Sequence, residues 1–222
     1  MSGDLAYHGY WERKRLRAGA VPAFPVRRWW ESDGLSEVEQ LYFEAVRDTP
    51  SLLDVGAGDL RMQQKFAAAG YTGEYHTQDI GPEYRHTYRD LDEVERRYGA
   101  VLCLDVIEHL PLEHGLALLE RLVALLEPGG TLVLQTPNAR CIRSPLGWDM
   151  THLHLYNVED LWAYLTAAGL ETTGFRVVFA PRRRSPLAAL RFALAALVTT
   201  RLLGADYADN IALVARKLAE PE

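Results

Sequence analysis

The stretch from Ser51 to Leu60, SLLDVGAGDL, constrains this chain most. Ser51, Leu52, Leu53, Asp54 and Val55 make a short apolar run with one acid and read as a buried strand. Gly56 and Gly58 then let the backbone turn tightly into a helix that starts near Leu60. Strand, glycine turn and helix are the opening of a nucleotide-binding α/β sheet. A dinucleotide fingerprint would need a third glycine at position 61. Arg61 stands there instead, which argues against close pyrophosphate approach and against NAD.

The rest of the chain extends that opening into an alternation. The first 35 residues, rich in Tyr, Trp and Arg and broken by Pro22 and Pro25, read as an irregular aromatic cap on a domain covering 36–222. Ser36 and Glu39 form a capping box for a helix to about Arg47. Further strands are expected at Glu74 to Ile80, His86 to Arg89, Ala100 to Asp105, Thr131 to Thr136, Thr173 to Ala180 and Asn210 to Ala215. Helices are expected up to Ala69, over Leu116 to Leu126, and from Asn157 to about Ala168. This pattern predicts a doubly wound α/β sheet, mostly parallel, with helices on both faces. Its ligand belongs beyond the carboxyl ends of the strands, where Asp54, Asp79 and Asp105 all fall.

Composition narrows the function classes. With 222 residues and 48% apolar content, the chain fits one domain with decorations. A net charge of -6 argues against an extended nucleic-acid partner. Cys103 and Cys141 are the only cysteines, and the start lacks a secretory pattern, so the expected compartment is the cytoplasm. Arg191 and Arg201 interrupt the one candidate membrane span. The apolar segment 182–204, which begins Arg182-Arg183-Arg184, reads as a helical insertion: a lid, a dimer interface or a peripheral membrane contact.

Four ordered motifs, LDVGAGDL at 53–60, QDI at 78–80, LDVIEHL at 104–110 and LEPGGTLVLQTPN at 126–138, resemble the class I S-adenosylmethionine (SAM)-dependent methyltransferases. The resemblance is to the branch holding ubiquinone-type O-methyltransferases and glycan or natural-product methyltransferases. It implies a Rossmann-like seven-stranded sheet with the last strand antiparallel, and SAM as cofactor. It also implies that Asp54, Gly56 and Gly58 line the methionine end and that Asp79 takes the ribose hydroxyls. Asp90 and Leu91 would then meet the adenine, with Asp105 and Val106 under the sulfonium. Leu60 replaces the last glycine of the first motif.

In-line methyl transfer is carried by proximity and orientation, and a hydroxyl acceptor also needs its proton removed. His109 and His154 are the candidate bases. Asp105, Glu108, His109 and His152 resemble a magnesium-binding pattern of the same branch, although Asp105 is shorter than the usual Glu. The expected reaction is methylation of a hydroxyl, less favourably an amine, on a small-molecule, glycan or lipid-linked acceptor. A catalytically inactive SAM-binding regulator is the alternative. Tyr10, Trp11, Trp29 and Trp30 read as packing residues, with an aromatic cover over the sulfonium as their functional alternative.

Overall fold

The computed structural model describes residues 9–179, 187, 190, 194, 197–199 and 205–219. Seven strands make one sheet: β1 (Val26–Trp29), β2 (Ser51–Val55), β3 (Glu74–Gln78), β4 (Tyr98–Leu104), β5 (Leu126–Pro137), β6 (Leu170–Phe179) and β7 (Asn210–Lys217). Their order is β1-β6-β7-β5-β4-β2-β3. β7 is antiparallel to both of its neighbours, as the resemblance implies, and every other pairing is parallel. The helices described are α1 (Tyr10–Ala18), α2 (Glu37–Val46), α3 (Arg61–Ala68), α4 (Leu112–Ala124) and α5 (Val158–Ala167).

Side chains alternate along each strand, and this sorts them into two cores. Leu53, Val55, Val101, Cys103, Leu132 and Leu134 pack with Leu119 and Leu122 of α4 and Leu161 of α5. Leu52, Ala100, Leu102 and Val133 pack with Tyr42 and Phe43 of α2 and Phe66 of α3. The same parity puts Asp54, Leu104 and Gln135, each two residues further along, on the α2/α3 face. The capping box is formed: Ser36 Oγ accepts from Glu39 N at 3.4 Å and Glu39 Oε2 accepts from Ser36 N at 2.7 Å. Such a cap contributes about 0.5–2 kcal/mol.

The amino-terminal segment departs from the irregular cap expected of it. α1 packs on α5, with Arg17 bonded to Asp160 and the Arg13 guanidinium 5.4 Å from the centre of the Tyr164 ring. β1 adds an edge strand parallel to β6. It is short and holds two arginines, so it lacks the apolar run that announces a central strand. The strand expected at His86 to Arg89 reduces to one bridge, Gln78 with Tyr88. The sheet therefore reaches seven strands with β1 in place of that element. The helix expected over Leu116 to Leu126 runs from Leu112 to Ala124, and β5 starts at Leu126, with Pro128, Gly129 and Gly130 inside it. Most of 182–204 lies outside the described residues; Leu187, Leu190, Leu194, Leu197 and Val198 are helical and exposed. No helix among the described residues is long and apolar enough to cross a membrane.

Candidate functional site

The glycine turn is built from left-handed backbone. Gly56, Gly58 and Leu60 have φ of +71°, +50° and +63°. Leu60, standing where the resemblance places a glycine, thus adopts the conformation that glycine favours, at a strain of about 1–2 kcal/mol. The turn is tied to the neighbouring strand, because Gly56 N and Ala57 N both donate to Gln78 O, at 2.8 and 3.1 Å. One residue on, Asp79 Oδ2 accepts from Gly58 N at 2.8 Å and its Oδ1 accepts from Gly81 N at 2.7 Å. Those two bonds orient the carboxylate and leave further lone pairs for a ligand's hydroxyls.

A crevice of about 360 Å³ opens beside this turn on the α2/α3 face. Asp54, Gly56, Gly58 and Asp105 line it, and Val106 sits behind Gly56. Asp90 and Leu91 do not line it: Asp90 caps the 3₁₀ turn Leu91–Glu93, and Leu91 packs on the α4/α5 core. Asp54 is buried with the Tyr75 hydroxyl donating to it at 2.8 Å, and burial pushes its pKa up to about 7. Asp105 has φ +55°, a strain of about 1–3 kcal/mol that its partners sustain. Its Oδ2 accepts from Gln135 Nε2 at 2.7 Å and its Oδ1 from Asn210 Nδ2 at 3.0 Å. Gln135 Oε1 in turn accepts from the Tyr42 hydroxyl at 2.7 Å.

Trp29, Glu39, Tyr42, Gln135 and Phe179 also line the crevice; of these only Trp29 was offered for the cofactor site by the sequence, as the functional alternative to a packing residue. Gln135 carried a signal, being a polar residue inside a continuous apolar strand. Glu39 was read as a cap alone, yet it is buried and holds Lys65 Nζ at 2.8 and 3.0 Å and Trp29 Nε1 at 3.3 Å. Trp29 and Phe179 pack with ring centroids 5.1 Å apart, which makes an aromatic wall from two neighbouring strands. Trp11 is 70% exposed and contributes nothing to this wall.

Beyond Asp105, the 3₁₀ turn Ile107–His109 places Glu108 and His109 against the loop that carries His152. Ligand atoms of Glu108, His109 and His152 lie within 4.8 Å of one another. Asp105 is not one of this cluster; its oxygens accept from Gln135 and Asn210. His152 Nδ1 donates to Pro145 O at 2.8 Å, which leaves its Nε2 lone pair available. The Thr151 hydroxyl donates to Asp149 at 2.7 Å, so it accepts from His109 Nδ1 at 2.8 Å. His109 is thereby held in the tautomer whose Nε2 is basic. Glu108 is fully buried: Oε2 accepts from Thr136 Oγ1 at 2.9 Å, while Oε1 has no partner. Burial, and then the charge of Asp105, raise its pKa to about 8. His154 is not in the cluster. It lines a second cavity, with its ring 4.7 Å from that of Tyr156, and burial lowers its pKa.

A sheet of this order, with an acid-ended glycine turn and a second acid clamped to that turn, is the fold and site of a SAM-dependent methyltransferase of class I. The family model described as a methyltransferase domain matches residues 26–173, and the chain belongs to that family. A ubiquinone biosynthesis O-methyltransferase of Xanthomonas campestris pv. campestris (strain B100) is 30% identical over 51% of this chain and 57% of its own length. The chain thus spans little more than half of that relative. Among solved structures, a SAM-dependent methyltransferase from Archaeoglobus fulgidus aligns with TM-score 0.60 and 15% identity over 95% of this chain and 100% of its own. The plantazolicin methyltransferase BpumL, in complex with a monoazolic desmethylPZN analog and SAH, aligns with TM-score 0.52 and 15% identity over 82% of this chain and 80% of its own. SAM is the cofactor, and the crevice suits it: a buried carboxyl that a cation would ionise sits at one end, and a carboxylate with spare lone pairs lies beyond the glycine turn.

Proposed function

We propose that the protein methylates a hydroxyl group of a small-molecule, glycan or lipid-linked acceptor, with His109 Nε2 taking the proton. The observation that carries this reading is the chain Asp149, Thr151, His109, which fixes a basic imidazole nitrogen just past the strand end bearing Asp105. The O-methyltransferase relative supports the same acceptor atom. SAM supplies an electrophilic methyl when bound. Asp54, Gly56 and Gly58 bind its methionine end, Asp79 its ribose, and the Trp29 and Phe179 wall excludes water. A panel of phenols and catechols assayed beside the matching anilines tests the proposal. Methylation of the amines alone would sink it.

A second reading is that Glu108, His109 and His152 hold a divalent metal. The unpartnered, buried Glu108 Oε1 favours it, because a cation would satisfy that oxygen and ionise the carboxyl. Two imidazoles and one carboxylate suit a first-row transition ion better than magnesium, which prefers oxygen ligands. A metal there would lower the pKa of the acceptor hydroxyl and orient it.

Two expected results test the cofactor assignments. Asp79→Ala removes an acceptor for two ribose hydroxyls and should weaken SAM by about 1.5–3 kcal/mol, read by calorimetry. Unchanged affinity would take Asp79 out of the site. Asp54 gives a pH dependence. Its pKa without ligand is raised to about 7, and the ammonium of SAM favours the ionised form. Affinity should therefore rise as pH increases through neutrality, with a proton released on binding. Calorimetry in two buffers of different ionisation enthalpy reads that proton. Without SAM the sign for folding is opposite. The folded chain keeps a proton that an unfolded Asp with pKa 3.8 has lost, so apo stability falls as pH rises from 3.8 to about 7.

A further inference from the structure

Arg61 stands where a dinucleotide fingerprint needs a glycine. It is the first residue of α3, directly after Leu60, whose left-handed backbone caps that helix. Helical side chains lean toward the amino terminus, so an arginine in the first turn reaches back over the glycine turn. Arg61 accordingly lines the cofactor crevice, and it is the only cation among the described residues that do. Four acids share that lining: Glu39, Asp54, Asp59 and Asp105. Lys65 is committed elsewhere, since its Nζ donates to both oxygens of the buried Glu39. Arg61 is exposed and makes no salt bridge among the described residues. Its charge still reaches inward: burial raises the pKa of Asp105, and Gln135, His109, His152 and Arg61 oppose that rise.

We infer that Arg61 anchors the α-carboxylate of the cofactor's methionine, so that this end of the crevice reads an amino acid. The inference rests on the assignment of the methionine end to Asp54, Gly56 and Gly58. An α-amino acid carries both signs on one carbon, so its site needs an acid for the ammonium and a cation for the carboxylate. Asp54 is the buried acid, and Arg61 is the cation that the lining offers. Without Arg61 the carboxylate would stand among Asp54, Asp59 and Asp105 with no opposite charge, which is disfavoured. The guanidinium presents two parallel N–H donors that match both carboxylate oxygens, a geometry that a lysine does not supply. Bound cofactor also covers the pair, so water and salt screen it less than they screen an open surface ion pair.

Two ligands that differ by this carboxylate alone test the assignment: S-adenosylhomocysteine and its decarboxylated form, S-adenosyl-3-thiopropylamine. Calorimetry on the full chain, with no acceptor present, should show the first binding about tenfold or more tighter than the second. Arg61→Gln should weaken S-adenosylhomocysteine by about the same factor and leave the amine at its original affinity, which certifies the fold of the variant. Equal affinity of the unaltered chain for the two ligands would overturn the assignment. So would full S-adenosylhomocysteine affinity in Arg61→Gln, or an equal loss of the amine there. Asp54→Asn separates the inference from the reading beneath it. Both ligands carry the ammonium, so both should weaken in that variant. If neither does, the methionine end lies elsewhere and both readings fall. If both weaken while Arg61→Gln keeps S-adenosylhomocysteine, the carboxylate assignment alone falls.

Discussion

A Gly56→Ala variant is expected to lose SAM binding while keeping its sheet. Two physical effects coincide at this position. The backbone has φ +71°, where a Cβ costs about 1–2 kcal/mol. A Cβ built there would also stand 2.3 Å from Val106 Cγ2, a distance no real pair of atoms sustains. Relief must come from the turn or from Val106, and Val106 follows Asp105, whose strained backbone is itself fixed by Gln135 and Asn210. Moving the turn would break the Gly56 and Ala57 bonds to Gln78 and the Gly58 bond to Asp79. Loss of two such ligand-aligning groups at about 1.5–3 kcal/mol each corresponds to a hundredfold weakening or more. Calorimetry with SAM and far-UV circular dichroism read the two halves of the expectation. A folded variant with ordinary affinity would make the glycine turn a structural feature alone.

The legible parts of this molecule are those whose information is local. Asp54, Gly56 and Gly58 line the crevice because strand, turn and helix are adjacent in the chain, and the spacing of Asp79 from them is set by one helix. Ala100 to Asp105 reads as a strand because its apolar run is continuous, and its residues enter both cores, Val101 and Cys103 on one face and Ala100 and Leu102 on the other. What escaped is assembled across the sheet. Trp29 reaches the crevice only because β1 joins the far edge beside β6, and that pairing has no signature in a four-residue strand with two arginines. Gln135 and Asn210 converge on Asp105 through the antiparallel β5 and β7, 75 residues apart in sequence. His152 and His154 are separated by a single residue, and nothing in the sequence says which way each ring faces. The loop turns them to different places, His152 beside His109 and His154 into the second cavity. Gly115 shows the same limit. Inside α4 it reads as a weak helix former, but a Cβ there would lie 2.2 Å from the Tyr156 hydroxyl.

His109→Ala should lower turnover about 10²- to 10⁴-fold while leaving SAM affinity nearly intact. The size of the loss is that of general-base catalysis, and it belongs in kcat because the base proposed at His109 would touch the acceptor's proton rather than the cofactor. The two readings of the cluster then separate on further measurements. If His109 acts as a base alone, Thr151→Val should lower kcat and leave SAM affinity intact, since the Nδ1 partner that fixes the tautomer is gone. EDTA should then have no effect, and His152→Ala should retain most of the activity. If the cluster holds a metal, EDTA abolishes turnover and a transition ion restores it, and His152→Ala and Glu108→Gln fall as far as His109→Ala. Full turnover in His109→Ala together with indifference to EDTA would remove histidine chemistry altogether. Catalysis would then rest on alignment of acceptor, methyl and sulfur between the glycine turn and Asp105, which for an in-line displacement can supply about 7–11 kcal/mol of the barrier.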